Sequence, residues 1–437
     1  MLKAITLRNF KSYKEARLPL ASLTVLVGTN ASGKSNAIEA LRLLSFLAQG
    51  RKLSSMQYEE TKNQVFRGRP CDLFHNQADT FTLMCETGDA SESCTLELTM
   101  SCRDGELHIE GETILHGGTR LYEIKSPATG ENTNARVSYN NFACGPNKPE
   151  ITCNDQLAIF TQLTSPAFFN GNKKAAETIP GVAQRLEKQL SSILFLDPQP
   201  AFMRNYSYSS DKRLESDGKN ISGILSRLIE TGEAETCRKQ RDDILSFVES
   251  LPEQKIADVT FLTEARGGKM LVLTEKFGDA EKQYDASLLS DGTLRVLAIA
   301  TAMLSAPEGT LVVVEEIDNG VHPSRVKHLV EKIREVAERR GLSVLLSTHN
   351  PALLDALPNE AVPDVVCCYR DPKDGASCLL RLDDIDDNPL LFAQGSLGYL
   401  ATSGNLEWFL KYRPSPEERK ANALAWLENI RKGGDAE

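Results

Sequence analysis

Eight residues near the amino end, Gly28-Thr29-Asn30-Ala31-Ser32-Gly33-Lys34-Ser35, are spaced to wrap a phosphate. Glycines let backbone N–H groups turn inward as an anion nest, and the helical stretch that follows, Asn36 to Phe46, adds the positive end of its dipole. Lys34 would reach the β- and γ-phosphates of a bound nucleotide, and the Ser35 hydroxyl would hold Mg²⁺. Binding alone is not hydrolysis. Cleavage needs a carboxylate on the Mg²⁺ shell and a group that orients or deprotonates water. The apolar run Leu311-Val312-Val313-Val314 ends in Glu315-Glu316, which would supply both, Glu315 toward Mg²⁺ and Glu316 toward the attacking water. A second apolar run, Ser343 to Ser347, ends in Thr348-His349-Asn350-Pro351, where His349 would sense the γ-phosphate. In Leu289-Ser290-Asp291-Gly292-Thr293, at the start of another helical stretch, Ser290 and Gly292 make a further anion site.

These groups need strands to deliver them to one edge. Leu23 to Val27 is an apolar run leading into the loop, and alternation of apolar and polar residues over the first 27 residues, this run included, predicts two short strands ahead of the phosphate loop. Buried strands end at Glu315 and Thr348, and amphipathic helices alternate with them, from about Gly292 to Leu304 and from Arg325 to Arg340. That alternation predicts a parallel α/β core, whose ligands gather at the carboxyl ends of the strands. Phe81 to Tyr139 reads as an antiparallel meander, and 140–160 as loop. Ile221 to Ile229 is one helix, with Asn220 as its N-cap, and Ile244 to Leu251 belongs to another. Val259 to Leu262 and Lys269 to Lys276 form a hairpin, as do Val365 to Tyr369 and Cys378 to Leu382. Neither middle helix carries heptads long enough for a coiled-coil arm. Four regions follow: 1–190, an amino-terminal lobe with the phosphate loop and a β-rich subdomain; 191–257, a helical insertion; 258–388, a carboxyl-terminal lobe; and 389–437, a helical tail.

The chain of 437 residues is long enough for two or three lobes, and a net charge of −10 argues against a protein coated in nucleic acid while allowing a local basic groove. Ten scattered cysteines without a C-x-x-C pair fit a reducing, cytoplasmic setting, with Cys367-Cys368 as buried strand thiols. No signal-like or membrane-length apolar segment is visible.

Together the motifs resemble an ABC-type ATPase of the branch that includes RecF, SMC and the overcoming-lysogenization-defect proteins, as found among prokaryotic AAA-like defence ATPases. Residues 28–35 resemble Walker A, Leu-Ser-Asp-Gly-Thr the signature, Val-Val-Val-Glu-Glu Walker B, and Ser-Thr-His-Asn-Pro the switch-histidine loop, in the family's order between residues 5 and 351. The opening Leu7-Arg8-Asn9-Phe10-Lys11-Ser12 resembles the lead-in of that branch, where a basic residue often approaches the nucleotide. Glu315 stands where Walker B usually has Asp, and Asp291 and Thr293 where the signature usually has Gly and Gln. Gln64 and Gln77 are the candidates for the Q-loop.

The resemblance implies an ABC-type P-loop head with a mixed or parallel core sheet, an antiparallel β-subdomain and a helical insertion. It implies ATP and Mg²⁺ as cofactors and a homodimer or higher homo-oligomer in which Ser290 and Gly292 act in trans on a partner's γ-phosphate. The 88 residues after His349 leave little room for a Toprim nuclease domain, so a separate nuclease or toxin is the expected effector, in antiviral defence. The alternative is a RecF-like DNA-repair ATPase, with DNA as partner and Arg51-Lys52, Arg67-Gly68-Arg69 and Arg238-Lys239-Gln240-Arg241 as candidate contacts. The Glu-Glu-Ile-Asp-Asn-Gly-Val-His-Pro segment and the β-rich insertion suit this branch better than a transporter, so no membrane partner is expected. Residues 195–217 carry no assigned role. Trp408-Phe409-Leu410 and Trp426-Leu427 would dock on the core or form an interface.

Overall fold

Alternation of apolar and polar residues sets the amino-terminal layer. The computed structural model describes residues 1–58, 65–88, 92–145, 147–169, 171–249, 255–321, 323–385 and 395–412. Strands β1 (Leu2–Phe10) and β2 (Tyr13–Pro19) pair in antiparallel register, and β3 (Leu23–Val27), entirely buried, leads to the phosphate loop. Helix α1 (Lys34–Ala48) follows. Next come β4 (Thr80–Thr87), β5 (Cys94–Arg103), β6 (Glu106–His116), β7 (Thr119–Ser126), β8 (Asn134–Tyr139) and β9 (Glu150–Asn154). They extend β1 and β2 into an eight-stranded antiparallel sheet of order β2-β1-β4-β5-β6-β7-β8-β9. Three strands, not two, therefore precede the phosphate loop. The stretch 140–160, expected as loop, contains β9, whose polar sequence becomes a strand because β8 offers it a ladder.

A turn of helix, α2 (Ile159–Gln162), and the long α3 (Lys173–Ser191) lead to the short strand β10 (Leu194–Leu196). The middle of the chain holds α4 (Pro200–Met203), α5 (Ile221–Glu230) and α6 (Ala234–Val248). The expected hairpin is a three-stranded sheet of β11 (Ile256–Thr263), β12 (Lys269–Phe277) and β13 (Ala280–Asp285). Asn220 does precede α5, but its side chain does not cap the helix. Its Oδ1 accepts from the Glu215 N–H at 3.0 Å and its amide donates to the Arg213 carbonyl at 2.9 Å, so it braces the preceding loop.

Helix α7 (Asp291–Ser305), β14 (Leu311–Val314), α8 (Pro323–Arg340), β15 (Ser343–Thr348), α9 (Pro351–Ala356), β16 (Val365–Arg370) and β17 (Ser377–Arg381) complete the core. The central sheet has the order β10-β14-β15-β3-β16-β17, parallel except for β17. It is buried on both faces, as parallel sheets require. Alternate residues feed two cores: Val25, Val312, Val344 and Val365 face one, and Leu26, Val313, Leu345 and Val366 face the other. Helix α1 and the antiparallel sheet cover the second face, whereas α5 to α8 cover the first.

In the tail, α10 (Leu397–Thr402) and α11 (Asn405–Tyr412) bury Leu397, Leu400, Leu406 and Leu410 on the α7 side of the core. Trp408 stays 64% exposed, with its ring against Tyr412. Trp426 and Leu427 lie outside the described residues, as does Gln64. No described helix is long and apolar enough to cross a membrane.

Candidate functional site

Groups from other parts of the fold hold the carbonyls on the far side of the loop after β3, while within the loop the Ser32 N–H donates to the Thr29 carbonyl at 3.2 Å. The Arg370 Nε donates to the Ala31 carbonyl at 3.0 Å, the Ser377 hydroxyl to the Ser32 carbonyl at 2.5 Å, and the Tyr13 hydroxyl to the Gly33 carbonyl at 3.0 Å. Lys34 folds back over the loop, its Nζ donating to the carbonyls of Gly28 at 2.5 Å and Thr29 at 3.1 Å. Desolvation lowers the Lys34 pKa, while Cys368, Glu316 and Asp318 act to raise it. Thr29, Asn30 and Ala31 are exposed. Gly28 and Gly33 are required by space: a Cβ on Gly28 would stand 2.3 Å from the Cys368 carbonyl oxygen, and one on Gly33 2.4 Å from the Ser377 Oγ. Gly33 also has φ +124°, and Ala31 sits at φ +63°. A nest of N–H groups, a lysine and a helix N-terminus, in a cradle too tight for side chains, fits a phosphate chain.

Asn36 donates to the Ser12 Oγ at 2.7 Å, joining the start of α1 to the β1–β2 turn. Lys11, in that turn, does not approach the loop. It pairs with Glu39 on α1 and donates to the Arg67 carbonyl at 2.9 Å, while Arg8 pairs with Glu15 at 3.0 Å.

The two glutamates leave β14 in different directions. The Glu315 N–H donates to the Leu196 carbonyl at 2.9 Å, and its carboxylate accepts from Arg42 of α1 at 2.6 Å. Glu315 and Ser35 line one polar cavity of about 250 Å³. Glu316 has φ +48°, a left-handed conformation unusual outside glycine, and is exposed. Its N–H donates to the Ser347 Oγ at 3.1 Å, and Asn319 donates to its carboxylate. Buried Asp318 accepts from the Thr348 hydroxyl at 2.6 Å, so the turn after β14 is tied to the end of β15. His349 is exposed and lines a small cavity with Gly28 and Thr29. Parallel pairing thus brings the loop after β3, Glu315 and Glu316 after β14, and His349 after β15 to one edge of one sheet. The cavity beside the nest has Ser35, Asp197, Asp217 and Glu315 on its wall together with Arg42 and Arg67, so a cation held there through water by Ser35 and Glu315 would have to displace Arg42 from Glu315.

Ser290 is the N-cap of α7, its Oγ accepting from the Thr293 N–H at 3.1 Å. Gly292 lies against the turn after Glu316: a Cβ there would meet the Gly320 carbonyl oxygen at 2.3 Å.

Sequence reasoning missed Asp197 and Gln199, which line the cavity of Ser35 and Glu315. Burial and the neighbouring Glu315 raise the Asp197 carboxyl above its ordinary range, with Arg295 and Arg42 acting the other way. The signal existed: Ile193-Leu194-Phe195-Leu196 followed by Asp197 repeats the pattern of an apolar run ending in an acid. Gln77, one of the two Q-loop candidates, is exposed in a short helical turn and is not among the residues lining that cavity, whereas Gln199 is.

Residues 121–355 match the family model described as "AAA domain, putative AbiEii toxin, Type IV TA system", and residues 1–112 match one described as "AAA ATPase domain". The DNA replication and repair protein RecF of Gloeobacter violaceus is 36% identical over 116 residues, 26% of this chain and 26% of that protein. The chromosome partition protein Smc of Rhodopirellula baltica is 23% identical over 281 residues, 59% of this chain and 23% of that protein. The matched stretches therefore span about a quarter of those relatives. Among solved structures, the SMC head domain from Thermotoga maritima aligns with TM-score 0.42 and 15% identity over 87% of this chain and 98% of that one. The SmcHead bound to the C-winged helix domain of ScpA aligns with TM-score 0.47 and 15% identity over 87% and 96%. The first family model covers more than half of the chain, which therefore belongs to that AAA ATPase family, as an ABC-type head of the RecF and SMC branch.

Proposed function

We propose that the chain binds and hydrolyses ATP with Mg²⁺, that two copies close around two nucleotides, and that this cycle controls a separate effector, a nuclease or toxin, in prokaryotic antiviral defence. The observation that carries the reading is the shared edge of the central sheet, where the phosphate loop, Glu315, Glu316 and His349 emerge from three neighbouring strands. In this reading Lys34 and the loop amides neutralise the triphosphate, and Ser35 and Glu315 hold hydrated Mg²⁺, which would polarise the γ-phosphate. Glu316, on its strained exposed turn, takes the proton of the attacking water, and His349 donates to the γ-phosphate. Ser290 and Gly292 complete the pocket of the other copy. The family's description, "AAA domain, putative AbiEii toxin, Type IV TA system", is consistent with a role in a toxin system.

The test is ATP turnover by the purified chain with and without Mg²⁺, alongside its mass in solution. Turnover that rises with protein concentration, together with an ATP-dependent dimer, supports the reading. Full turnover by a strict monomer, or no ATP binding, overturns it.

The similarity to RecF favours a second reading, a DNA-repair ATPase that binds duplex DNA. Exposed Arg67 and Arg69 would then contact phosphates. Strong, salt-sensitive binding to a duplex distinguishes it.

A further inference from the structure

One short segment touches both the cavity of Ser35 and the loop of Ser290. It begins at the end of β10. Leu196 pairs with Val314, so Asp197 and Glu315 emerge side by side from parallel strands. The Asp197 N–H donates to the Ser216 carbonyl at 2.8 Å and the Gln199 N–H to the Asp217 carbonyl at 2.9 Å, which fixes the backbone there. The chain then makes α4, whose Met203 is fully buried in the core that also holds α7. Arg204 follows. Its Nη2 donates to the Leu289 carbonyl at 3.0 Å and to the Asp291 Oδ1 at 2.6 Å.

Leu289 and Asp291 flank Ser290, so one guanidinium grips the loop on both sides of that serine. Asp291 is mostly exposed, at 64%, and a surface ion pair there would by itself contribute little. The value of Arg204 lies in geometry. One terminal amino group of the guanidinium, its two N–H bonds divided between a backbone carbonyl and a carboxylate, sets the direction in which the loop presents Ser290. Its own position is set by the buried Met203 and by the backbone bonds of the Asp197–Gln199 stretch. Residues 197–204 therefore form a continuous strut from the Glu315 side of the chain's own pocket to the loop offered outward.

We propose that Arg204 is a positioning residue, one that holds the Ser290 loop in the orientation needed to meet a phosphate bound by a second copy. The proposal rests on the reading of ATP shared between two copies. It also gives the 195–217 stretch a role, that of linking the loop's placement to the Asp197–Glu315 side of the same subunit.

The experiment uses the full chain and four variants: R204A, R204K, D291A and R204A with D291A. Three quantities are read: the affinity of dilute monomer for a fluorescent ATP analogue, the ATP-driven dimer in an E316Q background, and steady-state hydrolysis. R204A should leave monomer affinity within about twofold and lower both dimer formation and hydrolysis about tenfold, the scale of a lost charge-assisted contact. R204K, which keeps the charge on a shorter arm without the planar amino group, should fall between. Because the two side chains act as a unit, adding D291A to R204A should cost little more than R204A alone. Parental dimerisation and hydrolysis in R204A would overturn the proposal, as would fully additive losses. Should R204A fail to fold, R204K decides: a folded variant with parental dimerisation and turnover refutes the role. A parent chain that hydrolyses ATP only as a monomer would instead refute the shared-nucleotide reading itself.

Discussion

Replacing Gly292 by alanine separates sterics from backbone freedom. Gly292 has no left-handed φ, so alanine can adopt its conformation; only the new Cβ matters. That atom would lie 2.3 Å from the Gly320 carbonyl oxygen, where ordinary contact begins near 3.4 Å. The neighbour is backbone and cannot rotate away, so the start of α7 and the turn after Glu316 must separate by about 1 Å. Overpacking of this kind costs about 1–3 kcal/mol. Alanine's better helix propensity returns about 0.5–1 kcal/mol, so the net loss of stability is about 2 kcal/mol or less. Catalysis is far more sensitive, because a 1 Å misplacement of a reacting assembly costs about a hundredfold in rate. The expected variant melts close to the parent, binds ATP as monomer with parental affinity, and hydrolyses it about a hundredfold more slowly. Calorimetry, nucleotide titration and a phosphate-release assay measure the three. Parental turnover in G292A, or an equal loss of ATP affinity, would refute the claim that this contact sets the geometry of the signature loop.

Glu316→Gln should bind ATP normally, hydrolyse it at least about a hundredfold more slowly, and accumulate as an ATP-bound dimer in light scattering, because the amide cannot accept the water's proton. Lys34→Ala should lose nucleotide binding, and Ser290→Arg should keep it but lose turnover. Mixing the two inactive proteins should restore part of the activity, since each supplies the wall the other lacks; no recovery would count against a pocket shared in trans. Glu112 gives a pH test of the antiparallel sheet. Its fully buried carboxyl, raised to about 7 by desolvation, accepts from the Tyr122 hydroxyl and from the N–H groups of Ile159 and Phe160 at 2.7 Å each. The folded state holds this proton more tightly than the unfolded chain, so its contribution is present at low pH and falls as pH rises from about 4.5 to about 7. Urea unfolding of the parent and of Glu112→Gln should show the difference between them shifting against the parent by about 2–3 kcal/mol from pH 5 to pH 8.

Much of the edge that builds the site is legible because each motif is local. An apolar run of four or five residues can only be a buried strand here, and whatever follows it lands at the carboxyl edge. Leu311 to Glu316 and Ser343 to His349 follow that rule. Asp197 follows it too: the apolar run Ile193 to Leu196 ends in that acid, and β10 joins the sheet beside β14. What holds the phosphate loop open was not readable at all. Arg370 and Ser377 lie more than 330 residues from the loop and reach it only because β16 pairs with β3. Lys11 of the lead-in pairs with buried Glu39 on α1, because a desolvated carboxylate holds the nearest ammonium, and that partner too is visible only once the fold brings α1 beside the turn. Helix α3 runs through Pro180, which local rules read as a break; seven of its residues are nonetheless buried in one face.

Helices α1 and α7 explain why such a molecule would work in pairs. Each begins at the carboxyl edge of the central sheet, α1 because it follows β3 and α7 because it precedes β14 as an antiparallel neighbour. Yet Ile38 and Leu41 of α1 pack in one core, and Leu294 and Leu297 of α7 in the other, so the sheet stands between them. The turn from Glu316 to Gly320 fills the ground between their starts, and Gly320 touches Gly292. Two positive helix ends thus open at the same edge on opposite faces, with a carboxylate-bearing turn between them. In the proposed pair, a triphosphate seated on Lys34 would meet the first of these ends, while the second, beside Arg204, would be offered to the other copy. A second copy rotated so that its own phosphate loop meets that end would satisfy both at once, and the symmetry of such a pair would repeat the arrangement at the other site.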